Sequence, residues 1–362
     1  MENVKVTVWL STYNQAPYVA QALDSILMQK TDFPYEIVAA DDCSTDGTQE
    51  IILEYQKRYP EKIVTYFTPE NIGGCKKLTN CIDLGLFRGE YLSYLEGDDY
   101  WLGEDRLQTL VDFLEVHPEY AAIAHQRNLV DEHGGYIGQD LPTHLLNKSF
   151  TIETFLEGWD YADFGTVFRN YFRTNATKYH ELFWASRNVL DFQDMFIMQD
   201  FGPVYVTDSC FGVYRCARHA GATNYNSITS QSFRCMDHIR ICTAIESFYQ
   251  GKYSLAPMIQ QEQRKLLTAV LEEHDEAQFL NATRFLNTQC IIRDCPEIIY
   301  LALRGKRKKT VLFAVQHLSL RELLICFVRM IPFSVKRLYE KMTGVSHERY
   351  GKRRGYTLQT DK

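Results

Sequence analysis

Residues 89–120 read GEYLSYLEGDDYWLGEDRLQTLVDFLEVHPEY. The run "EYLSYL" (90–95) is short, apolar and aromatic, as a buried strand is, while "DRLQTLVDFLEVHP" (105–118) has helical apolar spacing and stops at Pro118. Between them stand Glu96, Asp98 and Asp99. Clustered carboxylates repel one another and resist losing their water. A strand that leaves the core straight into three of them predicts either a solvated turn or a cation site.

The same alternation extends toward the N-terminus. "VKVTVWLS" (4–11), "YEIVAADD" (35–42) and "KIVTYFT" (62–68) have strand character. "APYVAQALDSILMQ" (16–29) places Val19, Ala22, Leu23, Ile26 and Leu27 on one helical face. "STDGTQEIILEYQKRYP" (44–60) reads as a helix capped at Ser44 or Thr45 and ended by Pro60, and "KKLTNCIDLGLF" (76–87) as another helix. The pattern predicts an α/β fold: a mostly parallel sheet flanked by helices. Ligands of such sheets bind beyond the carboxyl ends of the strands. Ser11-Thr12-Tyr13-Asn14, Asp41-Asp42 and the 96–99 turn all fall at such ends, and their convergence on one rim favours a site over three unrelated loops. No Walker A loop or GxGxxG follows the first strand. If a nucleotide diphosphate binds here, magnesium or manganese on the carboxylates is the available neutraliser.

The length of 362 residues suits one large domain with an appendage, or two domains. With 45% hydrophobic and 23% charged residues, the composition excludes a disordered chain. The ten Cys form no CxxC pair, and "MENVKVTVWLS" lacks a basic region followed by an apolar one. Both features predict free thiols in a reducing, cytoplasmic compartment. The net charge of −7 is unevenly spread: residues 301–362 hold 15 Lys and Arg against 4 Asp and Glu, leaving 24 against 42 elsewhere. An acidic body therefore carries a basic tail.

Three stretches together resemble the family 2 glycosyltransferases of the GT-A fold: "VTVWLSTYNQAPYVAQALDSILMQ", "YEIVAADDCSTDGT" and the 89–120 segment. "EGDDYW" followed by an Arg-Leu helix is similar to the branch serving capsule, O-antigen and cell-wall polysaccharide assembly. The resemblance is specific over 4–120, weaker over 120–225 and absent beyond about residue 230. It implies that Thr12, Tyr13 and Asn14 contact nucleobase and ribose, and that Asp42 bonds the base, typically uracil. Asn71, Gly73 and Asn80 match the family's N-x-G…N stretch. Glu96-Gly97-Asp98 stands at the DxD position with Asp99 beside it, which implies metal binding there. Glu in place of the first Asp is a departure that shifts weight to Asp98 and Asp99. In "NVLDFQDMFIMQDFG" (188–202), Asp191 before Phe192 aligns with the family's catalytic base; Asp194 is the competitor and Asp200 a distant third. "GVYRCARHAG" (212–221) is similar to the YR-x-H element, with altered spacing, and implies Arg215, Arg218 and His219 at the pyrophosphate.

The activity so implied is an inverting, metal-dependent sugar transfer from a nucleotide sugar, UDP-linked first, to a glycan or lipid-linked acceptor. A sugar nucleotidyltransferase should open with a Gly-rich loop where this chain has "STYNQAPY". A non-catalytic nucleotide-sugar binder needs no acids at both 98/99 and 191. A nucleic-acid ligand is opposed by the acidic body. The expected plan is a catalytic domain over 1–225, a helical extension over 226–300 and a basic amphipathic region over 301–362. Leu318–Val335 is apolar but broken by Arg321, Glu322 and Arg329, too interrupted for a membrane span. Two readings stay open for it: a core helix, or peripheral contact with the anionic inner face of the plasma membrane through 304–354.

Overall fold

The computed structural model describes residues 4–131, 133–158, 166–216, 229–286, 294, 298, 308–318 and 322. Two compact units divide the chain: Met1–Ser230 with Arg240–Leu255, and Gln231–Ile239 with Ala256–Lys362.

The first unit opens with β1 (Val6–Thr12), α1 (Val19–Leu27), β2 (Tyr35–Asp41), α2 (Thr48–Arg58), β3 (Ile63–Phe67), α3 (Gly74–Asp83), β4 (Tyr91–Glu96), β5 (Tyr100–Trp101) and α4 (Arg106–Val116). It continues with β6 (Ala122–Val130), β7 (Tyr136–Gln139), β8 (Lys148–Phe150), α5 (Ile152–Gly158), β9 (Val167–Arg169), α6 (Phe172–Asn175), α7 (His180–Phe183), α8 (Asp191–Met198) and β10 (Val204–Arg215). The strands form one sheet in the order β3-β2-β1-β4-β9-β6-β10-β5, with β7 on β6 and β8 on β10. Pairs β2–β3, β1–β2, β1–β4 and β6–β10 are parallel, and β9 runs against both β4 and β6. The α/β expectation holds, and the strand order turns back beside β1, where α/β sheets hold their ligands.

All seven positions of β1 and of β2 are buried, which is why these strands read as near-continuous apolar runs. Val19, Ala22, Leu23 and Ile26 of α1 are buried against them; Leu27, expected on the same face, is only partly buried. Each fully buried Leu, Ile or Val contributes about 1.5–3 kcal/mol over exposure. The cap expected at Ser44 or Thr45 is displaced. Ser44 bonds back to Asp41, and α2 starts at Thr48 behind Gly47, whose φ of 101° favours glycine.

Helix α9 (Gln231–Phe248) contributes residues to both units. In the second unit, α10 (Ala256–Glu273) and α11 (Glu276–Ala282) share with α12 (Lys308–His317) a core that includes Leu266, Val270, Phe279 and Phe313. Asp275 caps α11 by accepting Gln278 N–H at 3.0 Å. Among the described residues no helix is long and apolar enough to cross a membrane. The apolar stretch 318–335 and the basic stretch 304–354 lie almost wholly outside them.

Candidate active site

Register brings the sequence-flagged clusters to one edge. Thr12 pairs with Asp41 across β1–β2, and Ser11 with Glu96 across β1–β4. The Thr12 hydroxyl donates to Asp41 Oδ2 at 2.7 Å, and Asp41 also accepts from Ser44 and Gln49. Asp41 is thus a buried organiser of the rim. Asn14 sits at φ 52°, with its N–H on Ser44 Oγ and its Oδ1 accepting Thr45 N–H at 2.9 Å. Tyr13 beside it is half-buried.

Asp42 is 3% exposed, and both its oxygens are engaged: Oδ1 by Ile72 N–H at 2.8 Å and Thr68 Oγ1 at 3.1 Å, Oδ2 by Gly73 N–H at 2.8 Å. Its carboxylate holds the turn that contains Asn71 and Gly73. Asn71 accepts from Arg187, and Asn80 donates to the Tyr66 hydroxyl at 2.9 Å.

The acidic turn is tight. Asp99 N–H closes on Glu96 O at 3.0 Å and Gly97 N–H on Ser11 O at 2.9 Å. A Cβ on Gly97 would lie 2.6 Å from Gln15 Oε1 and 2.7 Å from Thr12 Cγ2, so any larger residue would have to displace these side chains for the turn to lie this close to the 12–15 loop. Glu96 is open to solvent yet ringed by protein. That crowding pushes its carboxyl up to about 7, while the Lys77 ammonium pulls it down and Ser11 donates to it. Asp99 turns inward and accepts Arg215 N–H at 2.9 Å; burial first, then the Asp98 charge, holds its carboxyl well above the usual range. The half-buried Asp98 carboxyl is raised to about 6 by burial, against its own backbone N–H and the Arg215 charge.

Glu96, Asp98 and Asp99 therefore do not close on one point as a three-ligand metal site, and among the described residues no such cluster of His, Cys, Asp or Glu exists. Ser11 and the Arg215 amide draw two of the three carboxylates aside. What is left is a hard-oxygen set centred on Asp98, which fits magnesium or manganese completed by phosphate oxygens and water.

Antiparallel pairing of β10 with β5, with Gly212 opposite Trp101 and Val213 opposite Tyr100, carries Arg215 to this turn. Its Nε donates to Asp98 O at 3.0 Å and its Nη2 to Gln21 Oε1 at 3.0 Å, with the guanidinium 4.6 Å over the Tyr18 ring. Arg218 and His219 lie outside the described residues.

Asp191 and Asp194 open α8 but face different surroundings. Asp191 is half-exposed and interacts electrostatically with Glu96 and Arg127. Burial raises its carboxyl to about 6, and the Arg127 charge opposes the rise. Asp194 is buried and accepts the Tyr171 hydroxyl; burial lifts its carboxyl to about 7. Asp200 is held by the Tyr179 and Tyr249 hydroxyls at 3.1 and 3.3 Å.

A glycosyl transferase family 2 profile matches residues 7–179. The chain carries a family 2 glycosyltransferase domain. An uncharacterized protein of Mycobacterium tuberculosis is 33% identical over 168 residues, 46% of this chain and 44% of its own. An uncharacterized glycosyltransferase of Nostoc is 30% identical over 137 residues, 38% of this chain and 40% of its own. The poly(ribitol-phosphate) beta-N-acetylglucosaminyltransferase TarS of Staphylococcus aureus is 30% identical over 149 residues, 40% of this chain and 24% of its own. The chain thus spans less than half the length of these curated relatives. The crystal structure of S. aureus TarS in complex with UDP-GlcNAc shares the fold with a TM-score of 0.53 at 16% identity, covering 86% of this chain and 89% of that one.

The matched span of the glycosyltransferase domain ends before Asp191 and Arg215, which reach the site through α8 and β10. Two cations there escaped the sequence reading. Lys77 on α3 is 2% exposed; its Nζ donates to Thr12 O at 2.9 Å, and burial lowers its pKa against the charges of Glu96, Asp42 and Asp41. Arg127 on β6 is 9% exposed, donates to Asp140 Oδ2 through Nε at 3.1 Å, lies 4.9 Å over the Tyr214 ring and feels Asp99. Lys77 lies in the helix expected over 76–87, and the sequence offers no element or motif at Arg127.

Proposed function

We propose that the protein transfers a sugar, with inversion, from a nucleotide diphosphate sugar to a hydroxyl of a glycan or lipid-linked acceptor in surface-polysaccharide synthesis. The observation that carries this is that Asp191 is near enough to the acidic turn to interact electrostatically with Glu96, and with Arg127, which also feels Asp99. A carboxylate on one side and a phosphate-binding edge on the other is what single displacement requires. The crystal structure of TarS in complex with UDP-GlcNAc, and the N-acetylglucosaminyl transfer in the name of TarS, make UDP-GlcNAc the first donor to test.

Nucleobase and ribose lie along Thr12, Tyr13 and Asn14, with the base toward Asp42. Asp42 keeps its hold on the 72–73 amides, so it shapes this pocket as well as lining it. The diphosphate meets Asp98 and the Arg215 guanidinium, with Asp99 and Glu96 behind. Asp98 would hold manganese or magnesium, which would supply Lewis-acid stabilisation of the leaving phosphate. Asp191 takes the proton of the attacking hydroxyl; its raised pKa lets it accept that proton near neutrality. The enzyme needs no nucleophile of its own. Reach of His219 to the pyrophosphate, the 1–225 catalytic span and the cytoplasmic setting belong to the same proposal. So does contact of the basic 304–354 stretch with an anionic membrane face, which flotation on anionic liposomes at low and high salt tests.

A donor panel with manganese, read as release of nucleotide diphosphate, tests the activity. Release from one or a few nucleotide sugars, lost in Asp191→Asn, is expected. A wild-type protein that binds UDP-GlcNAc or its relatives without ever turning them over would make it a binder.

A further inference from the structure

The segment that delivers Asp191 is fastened to the opposite side of the site. Residues 186–190 lie along the turn 71–75. Cys75 N–H donates to Arg187 O at 3.1 Å, Gly74 N–H to Asn188 Oδ1 at 3.3 Å, and Cys75 Sγ lies 3.3 Å from Val189 O. The Arg187 guanidinium donates to the Asn71 carbonyl at 2.7 Å and to its side-chain oxygen. Gly73 makes the approach feasible: at its φ of 89°, a Cβ would stand 2.4 Å from Arg187 Cγ and 2.6 Å from Arg187 O.

The other side of the turn hangs on Asp42 through the Ile72 and Gly73 amides. The strap itself has a fixed pitch. Buried Ser186 accepts Asn188 and Val189 N–H at 3.2 and 3.0 Å, and Gln193 Nε2 donates back to Val189 O at 2.8 Å. A hydrogen-bonded path thus runs from Asp42, at the end of β2, through the turn to the strap, whose chain leads directly into Asp191. Its middle joins one backbone pair, Cys75 N–H on Arg187 O, to the side-chain bonds of Arg187 and Asn188 packed around Gly73, so a shift at one end is passed on through close contact.

We propose that Arg187 and Asn188 are positioning residues: they tie the strap bearing Asp191 to the turn held by Asp42, so that filling the nucleotide end sets the reach of the base at the other. This rests on the functional reading above, in which the nucleotide occupies the Asp42 end and Asp191 is the base. A displacement of about 1 Å in a catalytic group costs on the order of 10²-fold in rate, so such a tie has a large effect to exert.

Asn188→Ala, Asn188→Asp and Gly73→Ala test it with two readouts. Without any nucleotide, Asn188→Ala should speed amide exchange across residues 71–76 about tenfold, the effect of losing one hydrogen bond, while Asn188→Asp, which keeps the acceptor, restores protection. Faster exchange confined to 186–190, or none, would show that the tie does not exist. With UDP-GlcNAc and manganese, Asn188→Ala and Gly73→Ala should lower kcat at least about tenfold with donor KM changed less than about twofold, and Asn188→Asp should recover kcat. Parallel losses in kcat and KM with a lower melting temperature would mark a purely structural contact and overturn the proposal. A wild-type protein that turned over no nucleotide sugar would strike the transfer reading alone; the exchange experiment would still decide the tie.

Discussion

Asp191 and Asp194 stand three residues apart on α8 and meet opposite environments: Asp191 is half-exposed and interacts electrostatically with Glu96 and Arg127, while Asp194 is buried and accepts the Tyr171 hydroxyl. The two acids are therefore separable by experiment. Asp191→Asn should cut transfer by roughly 10²–10⁴-fold and leave the melting temperature nearly unchanged. Asp194→Asn should do the reverse, costing about 1–3 kcal/mol of stability for a disturbed buried hydrogen bond, with a modest effect on rate. Parallel rate and denaturation measurements on the two variants check this, and a catalytically dead, fully stable Asp194→Asn would reverse the assignment.

The pH dependence follows from Asp191. Its carboxyl titrates at about 6, and only the ionised form accepts a proton, so kcat/KM should fall as pH drops through that value. Groups facing it are Arg127 of β6, Asp140 after β7 and Glu96 at the end of β4. Arg127→Met removes a charge that favours the carboxylate and leaves Asp140 uncompensated. Both changes move the acidic limb to higher pH. A pH–rate profile whose limb stays in place would show that Arg127 does not act on the base.

Lys77 is a cation buried beneath three acids. Lys77→Met removes one of two donors to Thr12 O, the Asp42 N–H remaining, and takes the cation away from the charges of Glu96, Asp42 and Asp41. A loss of about 3–5 kcal/mol in denaturant unfolding is expected for breaking such a buried charge group. A loss below about 1 kcal/mol would mean the ammonium contributes little to holding the rim.

The proposed metal site centres on Asp98, whose carboxylate is bonded by its own backbone N–H and, among the described residues, not by another element of the fold. In calorimetry, chelation should weaken UDP binding to the wild-type protein at least about tenfold, since a Lewis acid at phosphate is worth several kcal/mol. Asp98→Asn should bind UDP equally weakly with and without manganese. Equal binding by the wild type in manganese and in chelator would remove the metal from the mechanism.

The α/β frame was readable because β1 and β2 are buried on both faces and leave unbroken apolar runs, and because Pro60 and Pro118 mark helix ends. The short strands β8 and β9, three residues each, carry no periodicity and were invisible. At the site, the acids at 42, 98, 99 and 191 were flagged by motif, yet motif cannot say which way a side chain turns. Asp42 spends both oxygens on backbone amides, and Glu96 and Asp99 are drawn aside by Ser11 and Arg215. Lys77 and Arg127 went unseen because their charge matters only through groups distant in sequence.

The sheet has its own weak seam. Among the described residues, strand β9, with Val167, Phe168 and Arg169, joins β4 to β6 in the sheet, pairing Leu92 and Ala122 through Phe168. Strand β4 is synthesised long before these three residues and β10, the parallel partner of β6, only after them, so the nascent chain must carry open edges on β4 and β6 until β9 arrives. Mistakes in biogenesis, and the need for chaperone cover, should concentrate in that interval, well before the base-bearing helix exists.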